Sequence, residues 1–139
     1  MLLDLSSLEK AIQSLRRAAD FAIKTLAASQ DQVQKEVLQA GVIQNFEFTY
    51  ELCWKFIKRW LEINVSRTAV DGVTRRELFR VAAENRLITE VENWMRFHEA
   101  RNLTSHTYDP AISEEVFGFA LAFVVEAEKL LVVLTARND

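Results

Sequence analysis

The stretch Phe46-Glu-Phe-Thr-Tyr-Glu-Leu-Cys-Trp-Lys-Phe-Ile-Lys-Arg-Trp-Leu-Glu62 decides the fold class. Phe46, Tyr50, Cys53, Ile57 and Trp60 recur at steps of four and three, with Trp54 and Leu61 beside them, so they share one face of an α-helix. Phe48, Leu52 and Phe56 form a second stripe at steps of four, which squeezes Glu47, Glu51, Lys55, Lys58 and Glu62 into a narrow sector. A helix so apolar around its circumference is expected both at the centre of a bundle and against another subunit. Cys53, set inside the aromatic stripe, reads as a core residue.

Outward from this segment the helical period persists. The central helix is expected from just after Asp31 to about Ile63, weakened but not ended by Gly41. Before it, Leu8, Ile12, Leu15, Ala19, Ala22 and Leu26 line one face of a first helix, and Ser6 with Glu9 predicts a capping box at its start. After it, Asn64 to Val73 reads as a loop. Thr74/Glu77 and Thr89/Glu92 predict boxes opening a short third helix and a fourth helix from about Glu90. Pro110 is expected to break the pattern, since proline disfavours helix at the preceding residue, and Ser113 with Glu114 and Glu115 to cap a last helix. That helix carries Val116, Ala120, Phe123, Val124, Ala127, Leu130, Leu131 and Leu134. The expectation is an all-α, up-down four-helix bundle with one extra short helix, in a single domain over residues 1–139.

Composition narrows the function classes. Half of the 139 residues are hydrophobic, while glycine occurs three times and proline once, which disfavours turn-rich all-β and low-complexity architectures. One cysteine leaves no internal disulfide and no multi-cysteine zinc site. Twenty acids against seventeen bases give a net charge of −3, so an anionic ligand must be met by a local patch. Residues 55 to 101 offer one, with ten bases against seven acids, although scattered charges also describe an ordinary solvated surface. Asp4 lies where a signal peptide has its basic region, and the apolar stretch between Glu115 and Glu126 is about half of what a membrane span needs. A cytoplasmic protein without a membrane segment is expected.

The fourth helix carries the chemistry. On a helical wheel Val91, Trp94, Met95 and His98 share a face that continues into Arg101, Asn102, Ser105 and His106. A core-facing line that turns polar is costly unless its groups find partners. Such groups either cap the helix end and bond loop carbonyls, or they form a site. His98-Glu-Ala-Arg-Asn102 lacks the second histidine of a zinc-protease helix, and His98 and His106 stand roughly 12 Å apart along a helix, too far to share one ion. Neither a nucleophile elbow nor a phosphate-cradling glycine loop is present. What remains is Arg101, Asn102, His106 and Tyr108. Arginine binds phosphate oxygens bidentately and histidine transfers protons near neutral pH, so the pair suits RNA cleavage without a metal.

The spacing R-N-x-x-x-H-x-Y at Arg101, Asn102, His106 and Tyr108 resembles the motif of HEPN domains, specifically their HepT-like branch. Gly41-Val-Ile-Gln-Asn-Phe-Glu-Phe-Thr-Tyr-Glu-Leu-Cys-Trp-Lys55 is similar to the same branch, long described as nucleotidyltransferase substrate-binding proteins, and the likeness covers essentially the whole chain. The resemblance implies a bundle that dimerises and brings two motif copies into one cleft. It implies a metal-independent ribonuclease toxin, needing no cofactor, with Arg101 and His106 catalytic and Asn102 positioning groups nearby. It also implies a separate minimal nucleotidyltransferase antitoxin that transfers AMP to Tyr108. The alternative is a non-catalytic subunit that binds the nucleotidyltransferase and is modified on Tyr108. On a continuous helix Arg101 and His106 would lie about 140° apart, which favours a site completed across a two-fold axis. His98 has no role in the family pattern and reads as structural.

Overall fold

In the computed structural model, which describes residues 2–139, the helical spacings become five α-helices: α1 Ser6–Ala28, α2 Gln32–Asn64, α3 Arg75–Glu84, α4 Val91–Asn102 and α5 Pro110–Ala136. A 3-10 turn, Leu103–His106, continues α4. Among the described residues there is no strand. The long helices α1, α2 and α5 pack on one another, α4 lies against α5 and α2, and short α3 covers α4. Among the described residues no helix is long and apolar enough to cross a membrane.

Phe123 of α5 sits where three helices meet. Its ring makes edge contacts with Phe46 and Tyr50 of α2 and with Trp94 and Phe97 of α4, at centroid distances of 5.1 to 6.1 Å. Such tilted packing adds about 0.5–1.5 kcal/mol per pair beyond the area buried. The α2 stripe Phe46, Tyr50, Cys53, Ile57 and Trp60 is buried as its spacing requires, as are Leu8, Ile12, Leu15, Ala19 and Ala22 of α1. Burial pushes the Cys53 thiol well above its usual range, so it stays protonated in the core. The second α2 stripe divides. Phe56 is buried and Leu52 half-buried, whereas Phe48 is 62 % exposed.

The expected helix starts hold better than the expected caps. At α1 the Asp4 carboxylate accepts from the Ser6 N–H at 3.0 Å, and Ser6 forms no box with Glu9. Hydrogen bonding from Ser6, its side chain first and then its backbone N–H, lowers the Asp4 pKa below the usual carboxylate value. Thr74 does cap α3, accepting from the Glu77 N–H at 3.2 Å, but the Glu77 carboxylate turns to Arg80. Glu92 likewise leaves Thr89 and pairs with Arg76 of α3, so α4 starts without a side-chain cap. In both cases a charged guanidinium outcompetes a neutral backbone N–H. The start of α5 corrects the expectation placed on Ser113. Pro110 opens the helix, because the first turn has no use for its missing N–H, and Asp109 caps it by accepting from Ala111 N–H at 2.9 Å. The constraint Pro110 places on Asp109 is met by an extended N-cap backbone, ψ 119°. In the loop before α3, Gly72 takes φ +68°, which a side chain would strain.

Candidate functional site

The polar end of α4 lies at the surface, and this corrects the wheel. Trp94, Phe97 and Ala100 form the core-facing line, His98 and Arg101 stand half-buried at its border, and Asn102, Ser105 and His106 are exposed. Asn102, Ser105 and His106 therefore escape the desolvation cost that a buried polar stripe carries. The backbone also changes at Leu103, where the α-helix tightens into the 3-10 turn.

Arg101 is the most restrained of the candidates. Its Nε donates to Glu51 Oε1 at 3.1 Å, its Nη1 donates to Thr104 Oγ1 at 3.2 Å, and its Nη2 lies 3.4 Å from Glu47 Oε1. Glu51 is itself pinned, because its other oxygen accepts from Trp54 Nε1 at 3.0 Å. The Trp54 ring is in turn covered by the Arg75 guanidinium, 3.5 Å from its centroid. The three contacts leave further guanidinium N–H groups unspent, and the side chain keeps 29 % exposure. Arg101 thus borders a groove of about 430 Å³ on α2, lined by Gln44, Glu47, Phe48, Glu51, Leu52 and Lys55.

Asn102 points elsewhere. Its Nδ2 lies 3.5 Å from His98 Nε2, and His98 Nδ1 lies 2.9 Å from the hydroxyl of buried Tyr50. Desolvation, reinforced by the Arg75 charge, lowers the His98 pKa and keeps the ring neutral at pH 7. Burial pushes the Tyr50 phenol up. His106 ends the 3-10 turn in solvent, with the Tyr108 ring at its edge, 6.2 Å between centroids. Tyr108 is 84 % exposed and borders a second groove, of about 370 Å³, with Lys35, Gln39, Ile43 and Glu114. Among the described residues no hydrogen bond joins Arg101 to His106.

The structure therefore makes three small groupings: Arg101 with Glu47, Glu51 and Thr104; Asn102 with His98 and Tyr50; His106 with Tyr108. The alternative in which the polar groups bond loop carbonyls describes Thr104 and Thr107, which donate to Arg101 O and Thr104 O at 2.8 and 3.1 Å. It does not describe Arg101. Sequence reasoning missed Glu47 and Glu51 as partners of Arg101, although two acids one turn apart, each followed by an apolar residue (Phe48, Leu52), mark a face that a cation covers. The basic excess over residues 55 to 101 is partly spent, since Arg76, Arg80 and Arg101 pair with carboxylates. No group of three or more His, Cys, Asp or Glu side chains suited to a metal ion gathers among the described residues.

A family model described as nucleotidyltransferase substrate binding protein like matches residues 3–136. The chain belongs to that family. A curated Haemophilus influenzae protein named probable ribonuclease HepT is 33 % identical over 99 % of this chain and 95 % of its own length. A solved Haemophilus influenzae structure, described as revealing the fold of a substrate-binding domain of a nucleotidyltransferase, superposes with a TM-score of 0.86 at 30 % identity, covering 95 % of this chain and 99 % of that one. A Thermus thermophilus crystal structure shares the fold, with a TM-score of 0.70 at 24 % identity over 91 % of this chain and 98 % of its own. The family and the helical fold that the Arg101–Tyr108 and Gly41–Lys55 segments resemble are thus those of the chain.

Proposed function

We propose that this family member is the toxin of a toxin–antitoxin pair, an RNA endonuclease that needs no metal ion. The observation that carries the reading is Arg101: a half-exposed guanidinium, aimed by two glutamates and a threonine, with an unencumbered imidazole at His106 five residues on. In the reaction His106 takes the proton of a ribose 2′-hydroxyl, or delivers one to the leaving 5′-oxygen. The 2′-oxygen bonds to phosphorus as the P–O5′ bond breaks, leaving a cyclic phosphate and a 5′-hydroxyl. Arg101 stabilises the charge that gathers on the phosphorus oxygens, and Asn102 orients groups beside it.

One chain offers one arginine and one histidine with no contact between them, which favours a homodimer that completes the site. The outer face of α2 supports such an interface: Val33, Val37 and Phe48 are 62 to 68 % exposed and fall on one helix face that ends at the Arg101 groove. Incubating the protein with RNA in EDTA tests the activity. Wild type is expected to cleave and His106→Ala to leave the RNA intact, and equal cleavage by both removes His106 from catalysis. Sedimentation of Phe48→Asp is expected to return a monomer.

The exposure of Tyr108 favours a second reading, in which the chain is the partner and substrate of a separate nucleotidyltransferase. There the Tyr108 oxygen bonds to the α-phosphorus of ATP, pyrophosphate leaves, and the phenolic proton goes to solvent or base. The added anion beside His106 would repel RNA from the site. Labelled ATP with the partner enzyme is expected to mark wild type and not Tyr108→Phe. Labelling without any RNA cleavage would leave the binding-subunit reading in place of the ribonuclease.

A further inference from the structure

His98 holds no place in the reaction just described, yet it is the side chain that meets Asn102. Its ring is clasped on both nitrogens, by the Tyr50 hydroxyl at 2.9 Å and by the Asn102 amide at 3.5 Å. Tyr50 is wholly buried between Phe46 and Phe123, so its hydroxyl is a fixed point of the core. We propose that His98 is a positioning residue that, anchored by Tyr50, holds the Asn102 amide in one orientation at the edge of the site.

A neutral imidazole donates from one nitrogen and accepts at the other. With Asn102 Nδ2 donating to Nε2, the ring proton sits on Nδ1 and is donated to the Tyr50 oxygen. The Asn102 carbonyl oxygen is then turned away from the ring, where it can accept a hydrogen bond from a ribose 2′-hydroxyl, a donor that DNA lacks. Protonation makes both ring nitrogens donors, so the amide must rotate and bring its oxygen inward. The charged and titratable groups facing the ring are Tyr50 and Glu51 from α2, Arg75 from α3, and Glu99 and Arg101 from α4; of these, Arg75 and Arg101 oppose protonation while Glu51 and Glu99 favour it. The role of Asn102 in cleavage rests on the ribonuclease reading, whereas the clasp itself does not.

The test follows the 15N resonances of the His98 ring and of the Asn102 side-chain amide through a pH titration, alongside RNA cleavage by wild type, Tyr50→Phe, His98→Ala and His98→Gln. The expected result is one protonated and one bare ring nitrogen at pH 7.5, and an Asn102 amide signal that shifts as His98 titrates. Tyr50→Phe and His98→Ala are expected to lower kcat about tenfold with KM unchanged, below the hundredfold that a 1 Å misplacement can cost, and His98→Gln to recover part of that loss. An Asn102 signal indifferent to the ring's titration overturns the proposal whatever the RNA does. Unchanged kcat in all three variants of a cleaving protein overturns it as well. Intact RNA with the two signals still coupled sinks the ribonuclease reading alone and leaves the clasp supported.

Discussion

At the C-terminal end of α4, Arg101 is half-buried and tied to α2 through Glu47 and Glu51, whereas the 3-10 turn that follows leaves His106 in solvent beside an almost fully exposed Tyr108. The two regions are adjacent in sequence and opposite in restraint. A single chain therefore pre-orients the group that would bind a phosphate and leaves unoriented the group that would move a proton. Preorganised charge is worth most where water is excluded. On the ribonuclease reading proposed above, the turn acquires what α4 already has only against a second surface, either another copy or the RNA itself.

The largest expected effect separates the two regions by activity against stability. His106→Ala should remove RNA cleavage by about two to four powers of ten, the usual worth of general acid–base catalysis, while its melting temperature stays at the wild-type value. Arg101→Ala should lose cleavage to a similar degree, yet it also leaves Glu47 and Glu51 facing each other without their cation. Cleavage assays paired with thermal melts check both. Equal destabilisation by the two substitutions would erase the contrast between tied and free.

A smaller effect is expected one layer back. Glu51→Gln keeps the shape of the side chain and weakens the charged bond to Arg101, so kcat should fall about tenfold, well short of the loss in Arg101→Ala. Stability should change by no more than about 1 kcal/mol, because the pair is partly exposed and screened. Urea denaturation and single-turnover cleavage separate the two numbers. If Glu51→Gln instead speeds cleavage, the glutamates restrain Arg101 rather than aim it.

The bundle was legible in the sequence because its signal is redundant. Phe46, Tyr50, Cys53, Ile57 and Trp60 each repeat the same message, and every one of them is buried. The caps were less legible because each depends on one hydrogen bond that a stronger partner can capture, as Arg76 captures Glu92 and Arg80 captures Glu77. The site lies between these cases. Arg101, Asn102, His106 and Tyr108 stand out as a spacing, but the tightening at Leu103 splits them into separate groupings that no uniform wheel contains. The glutamate partners of Arg101 come from a helix about 50 residues earlier; Glu47 and Glu51 mark a face that a cation covers, but nothing local says which cation.

Asp109 tests whether the turn is steadied from the far side. Its carboxylate caps α5 at Ala111, and its own N–H donates to His106 O at 3.1 Å. Asp109→Ala should cost about 1 kcal/mol of stability, the typical worth of an N-cap, with the backbone bond to His106 retained. A loss of cleavage beyond that stability change would mean that the start of α5 helps to aim His106.

The smallest expected effect is a pH slope carried by His98. Its folded-state pKa lies below the ordinary value near 6.5, chiefly through desolvation and then through Arg75, so the unfolded chain binds the proton more readily. Stability should therefore fall as pH drops from 7 through about 6.5, and level off once the folded-state ring also titrates. The carboxylates held down by cationic or amide partners, Glu77, Glu92, Glu114 and Glu128, have folded pKa values below 4.5, so their contribution is lost only at lower pH. The two windows are separable in denaturation curves taken at half-unit intervals. His98→Gln should flatten the upper one and leave the lower one in place.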